Sequence, residues 1–439
     1  EKGVEVLLRD ARGRIQGKYQ NGEHDRSAVS GKDLKLGIDI DLQAYGEYLM
    51  QNKIGSIVMI EPKTGEILCM VAAPSYDPAI LTGKDFSTNY LQLVRNPYKL
   101  LINRAIAGNY PPGSTFKPSQ GLVFLQEGII KEDTRFSCYH GYPPLGGRPA
   151  CHGHASPLSL QYALATSCNS FFSYGLNYML NNRQKYSNTA EAFEVWKNYM
   201  VAMGFGYKLG VDLPSESRGF IPNSKFYTKV LGRQNWNAHN IISIAIGQGE
   251  VLTTPLQIAN FAALIANRGY FYAPHVVQEI KGGQLDTIYT NRRESGIDRG
   301  YYELTVNGMA DAVTSGTCRG TYLGPELTVC GKTGTAENPH GDDHSLFMGF
   351  APKDDPQVAI VVVVENGRFG ATNAVPIGKL MFEKFFYGEV LPGDQYLEDM
   401  IANRVILPNV YIKNSRPKPI IRKDSISQNS DSTKVIAIN

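Results

Sequence analysis

Hydrophobic and polar positions along the chain fall into blocks with different periods. Residues 1–35 mix polar and turn-forming residues with no sustained apolar face. From Leu36 the pattern tightens: Asp39 or Asp41 stands where a helix cap is needed, and Leu42, Tyr45 and Leu49 then share one helical face. Ser56 to Ile60 and Glu66 to Val71 are apolar runs joined by Pro62-Lys63-Thr64-Gly65, a hairpin signature. A long middle region has helical periodicity, with helices predicted near 114–127, 157–166, 169–180, 189–203, 254–267 and 301–314. Strand signals return at Leu327 to Cys330 leading into Gly334-Thr335-Ala336, at Ser345 to Ala351 and at Gln357 to Glu365. Pro352 to Asp355 makes a turn between the last two, and a closing helix is predicted from Val375 to Phe386.

Two strands at the start and three at the end predict an α+β fold. It would hold a five-stranded, largely antiparallel sheet with helices on both faces and a large helical insertion. The expected organisation is 1–35 as the end of a preceding region or linker, 36–395 as the catalytic domain, and 396–439 as an extended or disordered tail. Pro408, Pro417 and Pro419 sit in that tail among Ser, Asn, Lys and Asp. No internal repeat is present.

The formal charge of the 439 residues is +3, and no Lys/Arg stripe interleaves with aromatics, so nucleic-acid binding has no electrostatic footprint. No apolar run approaches the roughly 20 residues a membrane span needs; the longest, Val358 to Val364, reads as a buried central strand. The chain begins with Glu1, and a signal or anchor is expected to precede it in the full-length protein. Six cysteines are too few for a disulfide scaffold at this length.

Three short motifs carry candidate chemistry. Ser114-Thr115-Phe116-Lys117 follows Tyr110-Pro111-Pro112-Gly113 and precedes an apolar periodic stretch, so Ser114 should open a helix. Residues three apart share a helix face, which lets the Lys117 amine reach the Ser114 hydroxyl. A serine is a poor nucleophile without an adjacent base, and a lysine is a base only when burial or a nearby cation lowers its pKa. Ser167-Cys168-Asn169 lies between two periodic stretches. Its hydroxyl can relay protons, and its amide can bond a substrate carbonyl or hold Lys117. Gly331-Lys332-Thr333-Gly334-Thr335-Ala336 directly follows a strand. A strand edge offers N–H groups to a developing oxyanion, Lys332, Thr333 and Thr335 suit an anionic substrate end, and Gly331 and Gly334 leave room for a peptide.

Each motif alone has a plain structural explanation: a helix N-cap with a surface lysine, a polar helix junction, a glycine-flanked strand. Decoys exist. Lys63-Thr64-Gly65 belongs to a turn, Ser415-Arg416-Pro417-Lys418 contains a proline that forbids a regular helix, and Ser87-Thr88-Asn89 and Ser427-Gln428-Asn429 repeat the second form. One well-placed copy of each motif remains, in a fixed order.

That set, in that order, is the one known for penicillin-binding proteins and class A β-lactamases. The surrounding stretches resemble class B penicillin-binding proteins of the elongation type, penicillin-binding protein 2. They are LGIDIDLQ (36–43), NRAIAGNYPPGSTFKP (103–118), VDLPSE (211–216), GQGEVLTTPLQ (247–257), GKTGTAENPHG (331–341) and HSLFMGFAP (344–352). The resemblance runs from Leu36 to about residue 390. It implies Ser114 as acylated nucleophile, Lys117 as its general base, and Ser167 and Asn169 as a relay and holding pair. Lys332, Thr333 and Thr335 would bind the donor carboxylate, and the N–H groups of Ser114 and Thr335 would form the oxyanion hole. The implied reaction is D,D-transpeptidation of peptidoglycan stem peptides, with β-lactams trapped at the acyl step and no cofactor for catalysis. Implied partners are a SEDS-family glycosyltransferase (RodA) and elongation-machinery proteins; the implied location is the inner membrane, catalytic part outside.

Cys138, Cys151, His154 and Cys168 are candidate ligands of a closed structural zinc site, which some members of this family hold at a similar place. His140 and His152 are alternative ligands, and a Cys138–Cys151 disulfide is the alternative to metal. Cys69, Cys318 and Cys330 are expected to be buried without a role. Two rivals differ in chemistry. A serine β-lactamase would hydrolyse a penicillin adduct quickly; a β-lactam-sensing module would acylate and never process peptide.

Overall fold

The computed structural model describes residues 2–232 and 236–407. Helix α1 (Ile40–Met50) starts where Asp39 accepts bonds from the N–H groups of Asp41 and Leu42, so Asp39 is the cap and Asp41 lies inside the first turn. It leads into β1 (Gly55–Ile60) and β2 (Ile67–Ala73), an antiparallel hairpin with Val58 opposite Met70. The turn closes by Gly65 N–H bonding Glu61 O, with Gly65 at φ +84°, so the first Lys-Thr-Gly copy is a turn as expected. Its Lys63 pairs with Asp355 at the surface.

The middle region supplies α2 (Lys117–Gln126), α3 (Leu160–Ala165), α4 (Asn169–Asn181), α5 (Thr189–Ala202), α6 (Pro255–Ala266) and α7 (Arg299–Thr314). Helix α3 begins three residues later than the periodicity predicts, because Leu158 exchanges backbone bonds with Phe136. Strands β3 (Cys330–Ala336), β4 (His344–Ala351) and β5 (Val358–Val364) follow, then α8 (Ala374–Tyr387) and α9 (Gln395–Asn403). The sheet order is β2-β1-β5-β4-β3, antiparallel throughout. The predicted fold class is therefore observed, with β5 inserted beside β1 in the middle.

Strand β5 is buried at every position, and its two faces feed two cores. Ala359, Val361 and Val363 pack with the helical region, including α2, α4, α5 and α6; Val358, Ile360, Val362 and Val364 pack with α1 and α8. Alternation along a strand sends neighbours to opposite sides, so a continuous apolar run is what a sheet covered on both faces requires. Helix α6, buried along its whole length, is apolar at every position but Gln257 and Asn260 for the same reason. Strand β3 is left as a sheet edge, with its outer side facing the turn at Gly113.

Two boundaries differ from the sequence-based division. Leu34–Leu36 pairs with Val277–Ile280, so the limit at residue 35 falls inside a strand pair. The reading of 396–407 as part of a tail is also corrected. Leu397, Met400 and Ile401 line one side of α9 and join the core beneath α1 and α8, and the buried Lys53 amine donates to Ile401 O (2.6 Å). Residues 408–439, including the Ser415–Lys418 and Ser427–Asn429 decoys, lie outside the described residues. The remaining decoy, Ser87–Asn89, is on the exposed helix Phe86–Arg95.

Candidate active site

Ser114 sits on a 3₁₀ turn, Gly113–Phe116, that runs directly into α2 at Lys117. The approach is held from several sides. Thr115 Oγ1 donates to Pro112 O (2.6 Å), and Gly113 N–H donates to Gly247 O (2.8 Å). Gly113 has φ +54°, and a Cβ there would lie 2.4 Å from Thr335 O. The position therefore requires glycine twice over, for conformation and for close approach to β3. Gly334 packs as closely on the other side, where a Cβ would meet Thr115 Cγ2 at 2.8 Å. Two glycines thus let the nucleophile turn and the edge strand touch backbone to backbone.

Lys117 is fully buried, and its amine meets Ser167 O (2.6 Å), Asn169 Oδ1 (2.6 Å) and Ser167 Oγ (3.1 Å). Ser167 adopts φ +58°, a conformation rare for serine, which turns both its carbonyl and its hydroxyl onto Lys117. Asn169 donates to Ala150 O (2.6 Å) while its Oδ1 faces the amine, so it holds Lys117 in place. Burial and then the Lys332 charge push Lys117 well below the ordinary lysine range. The contacts suit a neutral amine: two N–H groups satisfy the two carbonyl-type oxygens, and the lone pair is left for a hydroxyl proton.

Lys332 is also fully buried, and burial lowers it to about 8. It points to the helical side of β3, with Cys330 and Ala336, and donates to Thr333 O (3.2 Å). It does not itself line the cavity in front of Ser114. That cavity, about 230 Å³, is bounded by Ser114, Ser167, Asn169, Thr333, Gly334 and Thr335, so all three motifs converge on one space. Thr333 Oγ1 donates to Thr317 Oγ1 (2.8 Å). The Gln248 side-chain amide reaches Thr335 O (3.0 Å) from outside the sheet. A strand residue sends its N–H and C=O to the same side, so the Thr335 N–H also projects from the free edge, toward the serine.

Several wall residues have no role that the sequence announces: Ile246, Gln248, Thr317, Glu337, Asp343 and Phe369. Gln248 lay in a recognised stretch, but nothing local announces its contact with β3. His152, considered only as a metal ligand, instead lines the cavity and meets the Phe369 ring edge-on.

The cysteine cluster forms beside this site. Ligand atoms of Cys138, Cys151, His154 and Cys168 lie within 4.8 Å of one another, and His140 and His152 are outside the group. All six cysteines are free, so the Cys138–Cys151 disulfide alternative is not formed. Cys151 Sγ lies 3.9 Å from Cys168 Sγ and accepts from the N–H groups of Asn169 and Ser170 at the start of α4. The Cys168 thiol, and then the Ser170 N–H, hold the Cys151 thiol well below the ordinary cysteine range, while Cys168 is pushed up. His154 Nδ1 bonds Ala155 O (2.9 Å), and among the described residues its buried Nε2 has no hydrogen-bond partner. An imidazole fixed in that tautomer presents a bare lone pair, as a metal ligand must. The four residues therefore fit a zinc ion.

A helix-borne serine, a desolvated lysine one turn on and a Lys-Thr-Gly edge strand define the penicillin-recognising class of folds. The chain belongs to the penicillin binding protein transpeptidase domain family, which it matches over residues 55–383. It is 34% identical to the peptidoglycan D,D-transpeptidase MrdA of Acinetobacter baumannii over 87% of this chain, and spans 59% of that relative's length. It superposes on Pseudomonas aeruginosa PBP2 in complex with WCK 5153 with TM-score 0.70 and 30% identity, covering 83% of this chain and 79% of the other. Penicillin-binding protein A of M. tuberculosis, solved as a penicillin G acyl-enzyme complex, gives TM-score 0.64 and 26% identity over 80% of each chain. Among the described residues no helix is long and apolar enough to cross a membrane.

Proposed function

We propose that the chain is the catalytic part of an elongation-type peptidoglycan D,D-transpeptidase, acting through an acyl-enzyme on Ser114. The carrying observation is the single cavity shared by Ser114, Ser167, Asn169 and the Thr333–Thr335 edge. A stem peptide would lie beside β3, its terminal carboxylate on the Thr333 and Thr335 hydroxyls, with the Lys332 charge behind them. Ser114 Oγ gives its proton to neutral Lys117 and attacks the penultimate D-alanine carbonyl. The oxyanion is held by the N–H groups of Ser114 and Thr335. As the C–N bond breaks, the leaving D-alanine nitrogen takes that proton from Lys117, with the Ser167 hydroxyl as relay. An amine of a second stem peptide then attacks the ester. Its surplus proton returns to Ser114 Oγ as the new amide forms.

The test is mass spectrometry after incubation with benzylpenicillin. The expected result is a mass gain equal to the whole drug, on the peptide containing Ser114, that persists for many minutes. Rapid hydrolysis of the adduct would point to a β-lactamase, and no adduct would remove the proposal.

The cysteine cluster supports a second reading, that Cys138, Cys151, His154 and Cys168 hold a structural zinc. When bound, the ion would supply a cross-link between the 138–154 segment and the loop carrying Ser167 and Asn169. Protein purified without added zinc is expected to contain about one equivalent, and chelation to lower its melting temperature by several degrees. Metal-free protein with unchanged melting would refute it. The elongation-type resemblance supports a membrane-anchored parent protein with its catalytic part outside the inner membrane, working beside a SEDS-family glycosyltransferase.

A further inference from the structure

The stretch Gly247-Gln248 lies between the two walls of the catalytic cavity and touches both. The 3₁₀ segment Ala238–Ile246 ends at Gly247 in the left-handed conformation, φ +71°. Gly247 N–H bonds Ile244 O and Gln248 N–H bonds Ser243 O, each at 3.1 Å, a double C-terminal cap that fixes the direction of the next side chain. On one side Gly247 O accepts from Gly113 N–H (2.8 Å), and a Cβ on Gly247 would lie 2.2 Å from Gly113 O. On the other, the nearly buried Gln248 side chain donates to Thr335 O (3.0 Å). The two residues it joins carry, or adjoin, the two N–H groups assigned to the oxyanion hole: Ser114 follows Gly113, and Thr335 is itself the second donor.

We propose that Gln248 is a positioning residue that sets the spacing and aim of the two oxyanion donors by tying β3 to the nucleophile turn. An edge strand has no neighbour on its outer side, so its position relative to Ser114 depends on such ties. The Gly247–Gln248 link completes a closed loop with the direct contact between Gly113 and Thr335. Removing the amide takes away the hydrogen bond that ties Thr335 O to the Gly247–Gln248 link and leaves the Thr335 end of β3 able to move by tenths of an ångström. A shift of that size matters more to the tetrahedral intermediate than to the bound ground state, because only the oxyanion needs both donors at once.

This inference rests on the acyl-transfer reading of Ser114, and the experiment separates the two. Acylation of the wild-type chain, Gln248→Ala and Gln248→Glu by benzylpenicillin is followed over a range of drug concentrations and from pH 5 to 8. The limiting acylation rate of Gln248→Ala is expected to fall about 10- to 100-fold, with the apparent binding constant changed less than about threefold. Gln248→Glu, nearly isosteric, places a carboxylate against a carbonyl oxygen and is expected to be equally slow at pH 8. Its rate relative to wild type at the same pH should recover as the acid protonates and regains a donor. Failure of the wild-type chain to acylate would overturn both readings. Normal wild-type acylation with an unchanged rate in Gln248→Ala, a loss confined to binding, or a pH-independent ratio for Gln248→Glu would overturn this one alone.

Discussion

Replacing Ser114 by alanine is expected to abolish the penicillin adduct and reduce cross-linking by a factor on the order of 10⁴–10⁶, while the protein still folds. The catalytic part follows from covalent chemistry: Ser114 is the cavity hydroxyl that precedes the buried Lys117 by one helical turn, and the other hydroxyl at that amine, Ser167 Oγ (3.1 Å), is assigned to proton relay, not attack. The folding part follows from the hydrogen bonds. Among the described residues Ser114 Oγ has no partner, and the turn is held instead by Thr115 on Pro112 O and by Gly113 on Gly247 O. Thermal melting within about 2 °C of wild type, together with a missing adduct in the mass spectrum, is the expected pair of results. A retained adduct on another residue would place the nucleophile elsewhere.

Lys117→Met carries the next largest effect. It keeps the volume but removes the base, and acylation is expected to slow on the order of 10²–10⁴-fold. The wild-type pH profile follows from the two lysines. Lys117 must be neutral to accept the serine proton, and burial with the neighbouring Lys332 charge lowers it well below its usual range. The acylation rate should therefore rise with pH on an acid limb far below the 10.5 of an ordinary lysine. It should fall again as Lys332, lowered to about 8, loses the charge that attracts the substrate carboxylate. Lys332→Met removes a cation that depresses Lys117, so its acid limb should move to higher pH. Stopped-flow acylation rates across pH for the three proteins check the sign. An acid limb that stays in place would mean that burial alone sets Lys117.

Much of this site was legible in the chain because its chemistry is local. The Ser114 and Lys117 pair depends on helical spacing, and the proline and glycine before it mark where the turn must start. The decoy Lys63-Thr64-Gly65 could be set aside because proline ends the strand ahead of it, and the hairpin is as predicted. Cys138, Cys151, His154 and Cys168 come together as the sequence suggests, but spacing does not distinguish His154 from His140 and His152. That choice depends on the path of the backbone between Cys151 and Leu158. Helix α9 was missed because the proline-rich composition beyond it obscured the short apolar spacing of Leu397, Met400 and Ile401.

What the sequence determined by itself is the set of reactive groups, their order and the sheet that carries them. Apolar periodicity and turn residues act over a few positions, and these suffice to write each element. Only the tertiary structure decided that Lys332 is buried on the helical side of its strand, since Gly331 to Ala336 has no apolar face that could choose an orientation. It alone decided that Gln248, 87 residues from Thr335, closes the gap between edge strand and nucleophile turn. Contacts of that separation are set by how whole layers pack, and a backbone carbonyl on a sheet edge has no sequence signature.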